Sequence, residues 1–574
     1  MRIYDAEITS CVLDFLQKHI VSSISYMEAN CLFMKICGIN NFLESDDDLQ
    51  NIVAEINANF ACYVAESNAE YGDFQTNQAL ANQIIIKIKD DNILPEILIE
   101  PTCGKGNFII AALNVFDNIK KIYGIEIQKK YVWQTKFNIL DFFLENPNKQ
   151  KPEISIIHSS IFDFDLNSIQ KQIEHNNLLI IGNPPWVTNS ELSTLDSKNL
   201  PHKFNFKHHK GLDAMTGKGN FDIAEYITVD LLNHFGKCDG NMAFLVKNTV
   251  IKNIVHDQQK MNLPIADLKK LNIDSKKEFN VSVDASLFMC QLNSNSEYVC
   301  QESDFYKPEK SIFWGWKDRK FFSKIPTVDT AFDIDGYCQF EWRQGVKHDC
   351  SKVMELERKD DFFVNKLNET FYIEENLVFP ILKSSDLKTE HPELIRKYVI
   401  ITQKYVGQNT AYITNYPHTF KYLSSHIDFF RKRKSSIYKG KCEYSIFGVG
   451  DYSFMPYKVA ISGLYKSYHF SLIKPYHGKP VMLDDTCYFI GFDNIEQAEI
   501  IWKLLNTDIV SNFLKQISFS DSKRMITKEV LMRIDFNKLV QAIKLHNYKY
   551  ETLKLGNQDF INALKPNNSQ MNLF

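Results

Sequence analysis

Between residues 71 and 300, short apolar runs at Ile97 to Glu100, Lys121 to Glu126, Ile154 to His158, Leu178 to Gly182, Met242 to Lys247 and Ser286 to Leu292 alternate with amphipathic stretches. Near-continuous apolar runs of this length read as strands covered on both faces, and their alternation with helical patterns implies an α/β domain around a largely parallel sheet. The first run leads into Pro101-Thr102-Cys103-Gly104-Lys105-Gly106-Asn107-Phe108 and then the apolar stretch Ile109-Ile110-Ala111-Ala112-Leu113. That order reads as strand, glycine turn, helix.

With 574 residues the chain exceeds what one hydrophobic core usually organises, and an apolar share of 44% suffices for two or more domains. Residues 1–70 carry apolar positions at helical spacing (Val12, Phe15, Leu16, Ile20; Leu49, Ile52, Val53, Ile56) with an acidic break at Asp46-Asp47-Asp48, and form a helical N-terminal region. The α/β domain follows over 71–300. Around Asn293 to Lys310 the pattern dissolves into polar residues, and the texture beyond is short segments dense in Tyr, Phe, Lys and Gly, so 301–574 is expected to be a separate α+β domain.

The start of the chain lacks the pattern of a signal peptide and no run of some 18 apolar residues follows, so a cytoplasmic protein without a membrane partner is expected. Twelve cysteines are scattered without a Cys-x-x-Cys pair, which argues against zinc and against a disulfide framework. No metal site is expected. A formal net charge of −4 neither announces nor excludes a polyanion partner, so any nucleic-acid interface must rest on local patches.

In an open α/β sheet, ligands sit beyond the carboxyl ends of the strands, and Gly104 and Gly106 let backbone approach one there. The third glycine of the dinucleotide fingerprint is missing, as is a Gly-Lys-Ser/Thr phosphate loop, so neither NAD nor ATP fits. About twenty residues on, Glu126 ends a strand where a carboxylate can accept from a ribose diol. After the third strand, Ser160 and Asp163 are both candidates to meet an exocyclic amine, with Asp163 the better acceptor, and Phe162 or Phe164 can pack on a ring. The fourth strand delivers Asn183-Pro184-Pro185-Trp186. Pro-Pro after a strand is an ordinary ladder stop, but here it follows a side-chain amide and precedes an aromatic, a set that suits a planar base carrying an NH2 group.

These residues resemble the S-adenosylmethionine-dependent amino-methyltransferases that modify adenine N6 in DNA, of the gamma class found in restriction-modification systems. Tyr71-Gly72-Asp73-Phe74-Gln75-Thr76 is similar to the motif before the first strand, Glu100 to Phe108 to the glycine motif, Glu126 to the ribose acid and Asn183 to Trp186 to the catalytic loop. Asn220 to Tyr226, Asp239 to Leu245 and Glu278 to Val283 fit more loosely. The resemblance covers about residues 71–292 and implies a Rossmann-like methyltransferase domain, the helical N-terminal region as a cap, and a C-terminal target-recognition domain. It implies S-adenosylmethionine as cofactor, held by Thr76, Glu100, Pro101, Cys103, Gly104, Gly106, Asn107, Phe108, Glu126, Asp163 and Phe164. Trp186 stands where tyrosine is commonest.

The chemistry expected of this set is positioning: hydrogen bonds from an adenine amine to the Asn183 side-chain oxygen and the Pro184 carbonyl favour the pyramidal nitrogen that attacks a methyl group. Cytosine C5 chemistry needs a thiol, commonly in Pro-Cys, and none of the seventeen prolines precedes a cysteine. The target atom lies inside a duplex, so the base must be flipped out and stacked, with Trp186 the first platform and Phe279 either the second or a plain core aromatic.

Double-stranded DNA is then the partner, together with a cognate restriction endonuclease for the same site. The DNA contacts expected are Arg431, Lys432, Arg433, Lys434, Lys439 and Lys441 in one cationic stretch, Arg343 and Lys347 in a second, and Lys203 and Lys207 in the loop after the tetrapeptide. Competing functions are cytosine-N4 methylation, for which Ser more often begins the tetrapeptide, and a DNA-binding specificity module with a vestigial fold. Residues 1–70 are short for a nuclease, so no cleavage is expected.

Overall fold

The computed structural model describes residues 2–21, 24–58, 74–173, 176–188, 222–281, 283–325, 334–388, 395–465, 467–519 and 524–545. These form two compact units, Met1–Phe321 and Phe322–Phe574.

The first unit is built on a ten-stranded sheet. Its strands are β1 (Ile97–Glu100), β2 (Lys121–Glu126), β3 (Glu153–His158), β4 (Leu178–Gly182), β5 (Gly240–Lys247), β6 (Ala266–Asn272), β7 (Ala285–Gln291), β8 (Val299–Asp304), β9 (Ser311–Lys317) and β10 (Lys320–Phe322). They lie in the order β10-β9-β8-β6-β7-β5-β4-β1-β2-β3. Pairing is parallel from β3 through β2, β1 and β4 to β5, while β7 runs antiparallel between β5 and β6. Strands β1 and β4 are buried along their whole length, which is why they read as unbroken apolar runs. After β1 the chain winds outward to β2 and β3, then returns to the other side for β4 and β5. The β1/β4 junction is therefore a topological switch point, where strand ends diverge and leave a crevice.

The six expected strands are present to within two residues at either end. The expected border at 300 is corrected: it falls inside β8, and the sheet continues through β9 before the units divide at 321. Residues 293–310 are polar because β8 is only half covered, not because they link domains. The N-terminal region likewise joins the first unit's core instead of standing apart. Helices α1 (Ser10–His19), α2 (Tyr26–Cys37) and α3 (Asp46–Asn57) are followed by α4 (Gln78–Asp90) and, after β1, α5 (Asn107–Val115); α6 (Lys129–Glu145) follows β2. Helices α1 and α2 pack on α6. Phe33 stacks on Phe42 at 3.9 Å and Tyr4 on Trp133 of α6 at 4.6 Å. The acids Asp46 to Asp48 prove to be the first turn of α3, capped by Ser45, where the helix dipole favours negative charge.

The second unit has two largely antiparallel sheets. One has four strands (Arg343–Gln344, Cys487–Phe492, Tyr457–Ser462, Ser471–Ile473) and the other six, centred on Glu355–Lys359 and Lys397–Ile400. Helices Ile495–Leu505, Asp508–Ile517 and Phe536–Leu545 share a core with the four-stranded sheet. No described helix is long and apolar enough to cross a membrane.

Candidate active site

At the β1/β4 switch point lies an open cleft of about 950 Å³ including its mouth and the solvent within it. Its walls bring together Thr76, Glu100, Pro101, Cys103, Gly104, Asn107, Phe108, Glu126, Asn183, Pro184 and Pro185 from segments far apart in sequence.

The floor is the turn after β1. Gly104 has φ +52° and a Cβ there would lie 2.3 Å from the Gln75 amide oxygen, so only glycine leaves the turn open. Its N–H donates to Glu126 Oε2 at 2.9 Å, and Gln128 N–H donates to Glu126 Oε1 at 2.8 Å. The carboxylate at the end of β2 thus fixes both the glycine turn and the entry to α6. From the other side the Thr135 hydroxyl donates to Gly104 O at 2.8 Å. Gly106, the N-cap of α5 at φ +77°, faces Thr135 and does not line the cleft; a Cβ there would meet Thr135 Cγ2 at 2.7 Å. Asn107 ties the turn to the preceding motif by donating from Nδ2 to Thr76 O at 2.6 Å.

At the end of β4, Asn183 Nδ2 donates to Phe74 O at 2.6 Å and to Thr76 Oγ1 at 3.3 Å. A carbonyl can only accept, so this contact fixes which way the amide faces. The other end, Asn183 Oδ1, is buried without a partner, as are Glu100 Oε2 and Thr102 Oγ1 on the same walls. Buried oxygens are normally paired, so three in one cleft mark a place built for a polar ligand. Burial holds the Glu100 carboxyl well above the usual carboxylate range, opposed by the Ile109 backbone N–H and reinforced by the charge of Glu126. The burial that raises it favours the protonated form of Glu100.

Besides Gly106, the expected positions Trp186, Phe279, Asp163 and Phe164 do not line the cleft. Trp186 does not line the cleft: it is 6% exposed, donates from Nε1 to Leu245 O at 3.2 Å, and packs against Phe279 (5.0 Å, edge-on) and Phe74 (5.5 Å). Its faces are taken by protein, and Phe279 is a half-buried side chain packed on the same core. Asp163 and Phe164 are turned away, because the chain closes a turn with Asp163 N and Phe164 N both donating to Ser160 O at 3.1 Å. Ser159, Ser160 and Phe162 line the cleft instead. Sequence reasoning also missed Gln128 and Tyr131, which follow Glu126 into α6, and Ile223 and Ile227, one helical turn apart.

In the second unit the cationic stretch splits. Arg433 turns inward, donating to Ser445 O and Glu443 O, both at 2.7 Å, and lying over the Tyr438 ring at 3.7 Å. Arg431 pairs with Glu443 at 2.8 Å, while Lys432, Lys434, Lys439 and Lys441 are exposed. Arg343 pairs with Glu341 and lies over Tyr452 at 4.7 Å, and Lys347 pairs with Asp349 at 2.8 Å. Lys203 and Lys207, with Lys198 and His208 to Lys210 of the same loop, lie outside the described residues, as do Tyr71 to Asp73, Asn220, Phe221 and Ser282.

The type II methyltransferase M.NspV of a Nostoc species is 39% identical over 486 residues, spanning 84% of this chain and 99% of that protein. The solved structure of the type IIL restriction-modification enzyme MmeI, in complex with DNA, shares the fold with a TM-score of 0.54 at 11% identity, over 92% of this chain and 81% of that one. No family model matches.

Proposed function

The chain belongs to the type II methyltransferases, and we propose that it transfers the methyl group of S-adenosylmethionine to the N6 amine of a flipped adenine in double-stranded DNA, as the modification enzyme of a restriction-modification system with a cognate endonuclease. The observation that carries this reading is Asn183 Oδ1, a buried acceptor without a partner, aimed by Phe74 O and sharing a cleft with Gly104 and Glu126.

The cofactor's chemistry is an activated methyl group on a sulfonium. Several features of the cleft fit it. The missing Cβ of Gly104 lets the Gln75 side chain close on the turn, at a φ of +52° that glycine adopts without strain. Glu126 lines the cleft at the end of β2 and is fixed there through the Gly104 and Gln128 N–H groups, a position from which a carboxylate can accept from a ribose diol. Ser160 and Phe162, rather than Asp163 and Phe164, border the region suited to the adenine ring, and the buried Glu100 lines the same cleft.

An adenine amine is a weak nucleophile because its lone pair is delocalised into the ring. Accepting from that NH2, Asn183 Oδ1 and the Pro184 carbonyl favour the pyramidal nitrogen and offset the positive charge it develops during attack. The Asn183 amide is already held by Phe74 O and Thr76 Oγ1, so no reorganisation is spent at the moment of reaction. Flipping the base costs a few kcal/mol. With Trp186 packed in the core, the aromatic side chains bordering the cleft among the described residues are Phe74, Phe108, Tyr131 and Phe162. The second unit is the reader of the target sequence.

Incubating the protein with tritiated S-adenosylmethionine and plasmid DNA, then digesting to nucleosides, tests this. Label in N6-methyldeoxyadenosine is expected. Label confined to cytosine would overturn the choice of base, and DNA binding without cofactor binding would leave only a specificity module.

A further inference from the structure

In the second unit the loop from Lys404 to Asn409 carries two exposed apolar side chains on its tip, Tyr405 at 59% and Val406 at 49% exposure. Turn tips are ordinarily polar, since an apolar residue there gains nothing from burial. The loop is also tightly fixed. Gln408 N donates to Tyr405 O at 3.2 Å across Val406 and Gly407, and Gly407 has φ +89° with open space where a Cβ would stand; this is the glycine position of a type II turn. Lys404 N donates to Gln408 Oε1 at 2.6 Å, and Gln403, fully buried, accepts from Ile446 N at 2.8 Å while its amide donates to Gln408 O.

That base stands on the same strip as the cationic stretch. Thr402 Oγ1 donates to Tyr444 O at 2.6 Å and Ile446 N to Gln403, while Arg433 donates to the alternate carbonyls of Glu443 and Ser445, both at 2.7 Å. Residues 443–446 are thus held by the base of the loop, through Thr402 and Gln403, on one side and by Arg433 on the other. Lys404 beside the tip, and Lys432, Lys434, Lys439 and Lys441 beyond Arg433, are exposed cations.

Resting on the DNA reading above, we propose that Tyr405 and Val406 form a preformed wedge that enters a groove of double-stranded DNA and leans on a base step, with these lysines on the flanking phosphates. An aromatic and a branched aliphatic side chain held out among cations have the chemistry of a side chain that unstacks a step while phosphate contacts secure the backbone. Because the loop is hydrogen-bonded at both ends, little ordering entropy is lost on insertion.

The test uses the full chain and a duplex carrying the methylated site mapped by sequencing, with 2-aminopurine placed singly at each position around it. Wild-type protein should brighten the probe at one step besides the target base. Tyr405→Ala should abolish that signal and weaken binding roughly tenfold at an unchanged salt slope, with Tyr405→Phe retaining both. Lys404→Gln should instead lower the slope by about one. Tyr405→Ala and Val406→Ser binding like wild type, or brightening at the target base alone, would overturn the wedge. So would a Tyr405→Ala loss that follows the salt slope, or one that appears as lost self-association in sedimentation. Wild-type protein that neither binds duplex nor methylates it would overturn the DNA reading itself.

Discussion

Replacing Asn183 by alanine separates catalysis from cofactor binding. The side chain makes two contacts through Nδ2, at 2.6 Å to Phe74 O and 3.3 Å to Thr76 Oγ1, and its buried Oδ1 faces the cleft without a protein partner. Losing one preorganised acceptor opposite developing charge costs about 10²–10³ in kcat, or roughly 2.7–4 kcal/mol. Leaving the Phe74 carbonyl without its donor costs about 1–3 kcal/mol of stability, a drop of several degrees in melting temperature for a unit of this size. Glu126 and Gly104 are untouched, so cofactor affinity should change little. Asn183→Asp, which keeps an oxygen at the Oδ1 position, should recover at least part of the rate. Single-turnover transfer of tritiated methyl at saturating DNA and cofactor measures the step, and calorimetric titration measures cofactor binding. Turnover within tenfold of wild type would refute the acceptor role. So would a defect lying wholly in cofactor affinity.

Further substitutions probe other parts of the molecule. Gly104→Ala puts a Cβ 2.3 Å from the Gln75 amide at a positive φ, and should weaken cofactor binding roughly tenfold, from about 1–2 kcal/mol of backbone strain; unchanged affinity by titration would show that the turn relaxes freely. Arg433→Ala strips donors from the carbonyls of Ser445 and Glu443 and should cost about 2–4 kcal/mol in chemical denaturation. Lys432→Ala and Lys434→Ala should leave stability alone and each lower the salt slope of DNA binding by about one; equal stability losses at all three positions would sink that distinction. Lys458, fully buried with Met455 O its hydrogen-bond acceptor at 2.7 Å, is pushed down by burial to about 7. Its unfolded value is about 10.4, so between these values the unfolded chain binds the extra proton and wild-type stability rises with pH. Lys458→Met should therefore stabilise the protein by about 4 kcal/mol at pH 7, an advantage that shrinks toward pH 10; melting curves that keep a constant offset would contradict it.

The central sheet was legible because β1, β2 and β4 are buried nearly throughout, so their apolar runs carry no polar interruption. Strand β6 escaped notice for the converse reason. Its sequence Ala-Asp-Leu-Lys-Lys-Leu-Asn looks like surface, and its buried Lys270 pairs with Glu302 of β8, 3.1 Å away. No local window contains that pairing. The order of glycine turn, acid and tetrapeptide likewise located the cleft, since the connections that leave a switch point diverge and open a crevice beyond its strand ends. Whether Ser160 or Asp163 faces it depended on a single turn closing on Ser160 O, and whether Arg433 or its lysine neighbours face solvent depended on carbonyls ten or more residues away.

Trp186 carries that lesson into the site. Residue type alone allows an aromatic after Asn-Pro-Pro to stack on a base or to pack in the core. The indole N–H separates the two, because a buried tryptophan needs an acceptor, and Leu245 O, 59 positions away in sequence, supplies it. Freeing a face of Trp186 for a base would require Phe74 or Phe279 to move. Phe74 is also the residue whose carbonyl aims Asn183, so its ring and its backbone link the tryptophan's packing to the acceptor's orientation. Any rearrangement that exposed Trp186 by shifting Phe74 would loosen the hydrogen bond that fixes Asn183 Oδ1 toward the cleft. The packed arrangement keeps the acceptor aimed, which makes Trp186 a support for the site rather than a surface of it.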